Sequence, residues 1–264
     1  VAGKHSKKKT KPALRSKSGA SPVRSEVMWD WFDVLLISIT LVLAFFASST
    51  IVRSALAQLL PGSGQAMLRL ILVLVFYVIE ILVVVYIAHR HNFKFFTLYR
   101  LRAAKDDLET PLQWVTDLAT STISVLLLLI LTQGLSMLWS YVTAQQGWTP
   151  TSTNDLLTMF GTSTASRALA VLCVVVLAPF IEEIIFRGVF LSTFATMMAP
   201  ALAVLITALL FAVYHASLWA FVPHVILGIA LGALALRCKT LWPAIALHAL
   251  YNAVLMAAAF YLTF

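Results

Sequence analysis

Charge is what this sequence has least of. Only 11% of its 264 residues are Asp, Glu, Lys or Arg, where soluble domains carry about 25%. Hydrophobic residues make up 61%. That balance excludes a soluble globular body and points to a polytopic membrane protein. Cysteine is nearly absent. Cys173 and Cys238 fall in or beside apolar segments, with neither metal-ligand spacing nor a disulfide framework, and they read as small buried hydrophobes. No strand alternation, solenoid repeat or nucleotide-binding glycine loop is present. Acid is missing from the first 25 positions, where Lys4, Lys7, Lys8, Lys9, Lys11, Arg15, Lys17 and Arg24 stand.

Those eight basic residues account for the net charge of +8, leaving 11 Lys and Arg against 11 Asp and Glu. Residues 1–27 form a basic tail with few large apolar side chains, expected to be disordered. It reads as a cytoplasmic topology anchor, attracted to anionic lipid at about 1 kcal/mol per basic residue near the surface. Nucleic-acid binding is not expected. The chain opens on Val, as a piece of a longer precursor does.

Residues 28–160 hold a first group of transmembrane spans and residues 161–264 a second. The apolar runs are Val34–Val52, Met67–Ala88, one within Leu112–Val142, one beginning after Arg167, Pro200–His215, Trp219–Leu236 and Trp242–Phe264. The expected fold is therefore an all-α transmembrane bundle of seven spans. "SALA" at Ser54–Ala57 has the form of a signal-cleavage site, but the preceding run is long for a signal and cleavage is not expected. Lys and Arg cluster in the tail, in His89–Pro111 and in Arg237–Thr240, while Thr143–Ser166 has neither. The positive-inside rule then places the amino-terminal side in the cytoplasm.

The run "APFIEEIIFRGVF" breaks the apolar pattern with Glu182, Glu183 and Arg187. A charge at the bilayer centre costs about 3 kcal/mol on insertion scales, so each needs a partner or a task. Glu183 and Arg187 are four apart, acid before base, and pair on one helix face. Glu182 is turned about 100° away and needs a partner from another helix. The polar candidates are His215 in "FAVYH", one turn after Phe211; His248 and Asn252 in "HALYN"; His224 in "VPHVILG"; and Glu80 in the second span. If the fourth helix runs on to about Thr196, Glu182 lies about 21 Å in and His215 about 22 Å from Pro200. The two match in depth, with His248 and Asn252 about 9–15 Å above Trp242. A polar cavity reached from the cytoplasmic side is expected. "GIALG" at Gly228–Gly232 is a small-residue pattern for close helix approach.

"EEIIFR", "FAVYH" and "HALYN" resemble the E-E-x-x-x-R, F-x-x-x-H and H-x-x-x-N motifs of the CPBP family, the CAAX proteases and bacteriocin-processing enzymes, also called Abi proteins. The motifs occur in order on separate runs, within about residues 165–255. The resemblance implies an all-helical intramembrane endopeptidase, often drawn with eight spans where this sequence shows seven. By the family motifs Glu182 and His215 bind and activate water, His248 and Asn252 stabilise the oxyanion, and Glu183, Arg187 and Phe211 support the site. Residues 161–264 are then the catalytic domain.

Amide hydrolysis needs a base for water and a donor for the developing oxyanion. Glu182 suits the base; His215 shares the water and protonates the leaving amine. No Ser or Cys in these motifs stands as a nucleophile, so no acyl-enzyme is expected. Zinc on Glu182, His215 and His248 is the alternative, although no H-E-x-x-H pattern is present. His224 reads as a helix contact or a site-lining group, and Glu80 as a structural or gating acid without a catalytic role. His89 and His91 belong with lipid headgroups. Expected substrates are membrane-associated or lipidated peptides or proteins. Two other readings use the same residues: a silent relative serving bacteriocin immunity or scaffolding, and a proton-coupled transporter. The confinement of the motifs to one half disfavours the transporter.

Overall fold

Inside a bilayer nothing but the chain itself can satisfy backbone N–H and C=O groups, so long apolar runs become helices. The computed structural model describes residues 31–47, 64–90, 111–147, 163–215 and 217–261. Among them the chain forms seven helices and no strand: α1 (Trp31–Ala47), α2 (Gly64–Arg90), α3 (Pro111–Gln145), α4 (Thr164–Met197), α5 (Pro200–Tyr214), α6 (Phe221–Cys238) and α7 (Trp242–Tyr261). α2, α3, α4, α6 and α7 are long and apolar enough to cross a membrane; α1 and α5 are shorter apolar helices. Leu82, Ile130, Met137 and Val213 face outward, each at least 60% exposed, as expected where the surroundings are lipid. The protein is an integral membrane helical bundle. The basic tail, Ser54–Ala57, residues 91–110, residues 148–162 and the last three residues lie outside the described set.

α4 is the spine. Ser163 caps it, its Oγ accepting from the Ser166 N–H, and the helix passes Arg187 without stopping. Two π-helical stretches, Leu172–Leu177 and Ile184–Leu191, bracket the α-helical Ala178–Glu183. Pro179 lies inside the helix; proline offers no N–H and its ring clashes with the carbonyl four residues back. The wider winding upstream accommodates it. The Ala178 N–H bonds to the Cys173 carbonyl, a step of five.

Met198 is extended and Pro200 starts α5, so the chain turns back on α4. α5 and α6 lie against each other at the small-residue pattern. A Cβ on Gly228 would stand 2.8 Å from the Ala208 Cα, and one on Gly232 would stand 3.2 Å from the Val204 Cγ1. Lys239, with φ 54°, takes the left-handed conformation that closes α6 and sends the chain into α7. Ile181, Phe186, Phe211, Leu227, Leu231 and Ile245 from α4 to α7 share one buried core with Ile37 and Val84 from α1 and α2. The outer helices are also pinned by polar ties. Arg90 Nη1 donates to Asp33 Oδ1 at 2.7 Å, Trp139 Nε1 to the Leu218 carbonyl at 2.7 Å, and the Tyr251 hydroxyl to Thr132 Oγ1 at 3.3 Å.

Gly228→Ala meets backbone, which cannot step aside. It is expected to destabilise by about 1–3 kcal/mol, as overpacking does. Gly232→Ala meets side-chain atoms alone, those of Val204 and Leu191, and should cost less. Thermal unfolding of the two variants in detergent checks the order; equal or reversed losses would contradict the close approach at Gly228.

Candidate active site

The three charged residues of α4 separate by side-chain direction. Arg187 Nη1 donates to Glu183 Oε1 at 2.7 Å within one helix turn, with both side chains buried. The guanidinium also reaches α6, where Nη2 donates to the Gly228 carbonyl at 3.1 Å. It lies 4.7 Å from the Phe211 ring centroid, a cation–π contact out of water. The spacing of Glu183 and Arg187 announced their pairing. It did not announce that Glu183 Oε1 also takes the imidazole of His248 from α7, whose Nδ1 lies 3.0 Å away.

Glu182 faces elsewhere. His215 Nε2 lies 3.8 Å and His248 Nε2 lies 3.9 Å from its Oε2. Both gaps are too long for a direct hydrogen bond and suit one bridging water oxygen. That carboxylate oxygen is buried and has no hydrogen-bond partner in the protein. α4, the end of α5 and α7 thus converge on one unpaired oxygen. The other ring nitrogens are committed. His215 Nδ1 lies 2.8 Å from the Phe211 carbonyl and His224 Nδ1 lies 2.6 Å from the Ala220 carbonyl. A carbonyl only accepts, so each Nδ1 carries the proton, and in the neutral rings Nε2 is the acceptor.

Asn252, expected beside His248 as an oxyanion donor, has one amide hydrogen engaged: Nδ2 donates to the Val174 carbonyl at 2.9 Å. The reason lies in α4. The Ala178 N–H has moved to Cys173, and Pro179, the next candidate for Val174, has no N–H. Asn252 fills the place that the proline leaves empty and ties α7 to α4. Pro179 was the sequence signal for this.

Phe211 underlies the cluster. Its ring is buried, packs edge-on against His215 at 4.5 Å and His248 at 5.6 Å, and lies 5.9 Å from His224. His224 stacks on His215 with centroids 3.9 Å apart, so it lines the site on the α6 side. Sequence spacing did not bring Glu80 to this place, yet it is an electrostatic neighbour of Glu182. Among the described residues no group of three or more His, Cys, Asp and Glu side chains is arranged to hold an ion, and no step is routed through a metal.

Residues 164–254 match a family model described as type II CAAX prenyl endopeptidase Rce1-like. Over this segment the chain is similar to the CAAX-protease (CPBP) family. The match begins with the first residue of α4 and ends within α7, so the CAAX-protease-like segment carries all three motifs and every group described around Glu182 except Glu80. α1, α2 and α3 lie outside it. No curated protein and no solved structure matches the chain.

Breaking a buried ion pair from one side costs about 3–5 kcal/mol, because the remaining charge is stranded. Arg187→Met is therefore expected to unfold more easily than the double replacement Glu183→Leu, Arg187→Met, which leaves no unpaired charge and frees only the His248 Nδ1 hydrogen. Denaturation in detergent compares them. A double variant less stable than the single one would show that the pair contributes more than mutual neutralisation.

Proposed function

We propose that this protein is an intramembrane endopeptidase that hydrolyses peptide bonds with water activated by Glu182 and histidine. The observation that carries this reading is the convergence of His215 Nε2 and His248 Nε2, at 3.8 and 3.9 Å, on the unpartnered Glu182 Oε2. It is supported by the family match over the same residues.

The water oxygen sits between Glu182 and the imidazoles and attacks the substrate carbonyl carbon while Glu182 takes its proton. The carbonyl oxygen becomes an oxyanion. Asn252 offers it the amide hydrogen not given to Val174, and His248, as an imidazolium that keeps both its protons through the turnover, offers its Nε2 hydrogen. Glu183 behind Nδ1 stabilises the imidazolium, the role that the carboxylate plays in a hydrolase triad. The carbon–nitrogen bond then breaks, and the proton from Glu182, passed by His215, goes to the leaving amine. One water is consumed, and an acid and an amine result. Arg187 and Phe211 hold these groups in place, and His224 lines the site beside His215.

The substrate class we assign is a membrane-associated or lipidated peptide, with a prenylated carboxyl-terminal Cys-a-a-X segment as the first choice, following the description of the matching family. From the distribution of Lys and Arg we infer that the amino-terminal side of α1 is cytoplasmic and that the basic tail meets anionic lipid, and we assign substrate entry to that face.

The test uses the full chain in lipid nanodiscs, with prenylated and unprenylated Cys-a-a-X peptides, alongside a comparison of protein termini in membranes of expressing cells. Glu182→Gln should lower cleavage by about 10²–10⁴-fold, the range for losing a general base, while the fold persists. Equal cleavage by wild type and Glu182→Gln, or identical termini in both membranes, would end the protease reading.

A further inference from the structure

Glu80 is the buried acid that the mechanism leaves unused. It lies in α2, outside the segment that matches the family, and is 2% exposed. Neither of its oxygens has a hydrogen-bond partner of standard geometry, although the Tyr214 hydroxyl stands beside it. Tyr77, three residues earlier on the same helix face, is an electrostatic neighbour of Glu80, Glu182 and Tyr214. Tyr214 in turn precedes His215 and packs edge-on against its ring at 5.6 Å.

Among the described residues, Arg187 is engaged with Glu183, the Gly228 carbonyl and the Phe211 face, with only its Nε unpartnered, and Arg90 is bound to Asp33 at the end of α2. Both Glu80 oxygens and Glu182 Oε2 are buried with no hydrogen-bond partner of standard geometry, and the two acids are electrostatic neighbours of each other and of Tyr77 and Tyr214. Buried polar groups left unpaired are costly and uncommon. Water is the ligand that suits this set, because it donates to the carboxyls and accepts from the tyrosines.

We propose that Glu80, with the hydroxyls of Tyr77 and Tyr214, forms a water-holding site against Glu182, through which α2 supplies the water that the reaction consumes. The inference rests on the protease reading for its purpose and makes Glu80 a positioning residue, acting through water. It also means that the CAAX-protease-like segment is incomplete without α2.

The experiment compares Glu80→Gln and Glu80→Leu in the full chain in nanodiscs, with kcat, KM and Tm measured for each. Gln still binds water and should keep kcat within about threefold, whereas Leu expels it and should lower kcat by about 30-fold or more with KM little changed, the pattern of a lost chemical-step contribution. Wild-type kcat in Glu80→Leu, or equal losses in both variants, overturns the proposal. A second measurement needs no activity. The infrared O–H stretch of the bound water, identified by its loss in Glu80→Leu and its retention in Glu80→Gln, should shift in oxygen-18 water. An unshifted band overturns the water site. A wild type that cleaves nothing while the band shifts would instead sink the protease reading and leave the water site standing.

Discussion

One buried carboxylate oxygen holds the second half of this protein together. Glu183 Oε1 receives Arg187 from its own helix and His248 from α7, and Arg187 carries the connection to the Gly228 carbonyl of α6. In lipid, apolar helix surfaces have little to gain from one another, since lipid tails are as apolar as leucine; close packing and buried polar ties decide which helices meet. Glycine serves the same tie. Gly228 lets α6 approach Ala208 of α5, and the same residue's carbonyl is the one that Arg187 reaches. The close approach and the hydrogen bond therefore locate each other.

Two adjacent glutamates can have opposite fates because a helix turns about 100° per residue. Glu183 is consumed by structure, and so its neighbour is held beside a fixed positive group without being paired to it. Proline has a similar double effect. Pro179 withdraws one donor from α4, and the Val174 carbonyl thereby becomes the point where Asn252 docks. A local fault in the backbone thus becomes the attachment of another helix.

Much of this was legible in the residues. The apolar runs gave the helices, including the passage of α4 beyond Arg187, because Gly188–Met198 offers nothing that ends a helix in lipid. Spacing separated the paired acid from the spare one, and depth along the helices brought His215 to Glu182. What sequence could not supply were contacts between helices whose order in space is set by packing. Nothing local ties His248 to Glu183, since they lie 65 positions apart, and nothing in α2 says that Glu80 faces Glu182 rather than lipid. The π-helical windings were hidden for a different reason. They depend on where a displaced hydrogen bond is taken up, and Pro179 signals only that one is displaced.

The fixed ring nitrogens bear on how such a site would act. His215 and His224 bond through Nδ1 to carbonyls one turn back, and His248 bonds through Nδ1 to Glu183. With Nδ1 donating, the Nε2 of a neutral His215 meets Glu182 as an acceptor, and a hydrogen on His248 Nε2 requires that ring to carry both protons. On the proposed mechanism a donor at His248 Nε2 belongs to the imidazolium, which Glu183 stabilises from behind Nδ1, and it meets the negative charge that forms on the substrate oxygen. On the proposed reading, the interaction is then stronger in the transition state than in the bound substrate, and only interactions of that kind accelerate the chemical step. The backbone carbonyls of Phe211 and Ala220 thus join the reaction's logic without touching the substrate, since they determine which ring nitrogen is free.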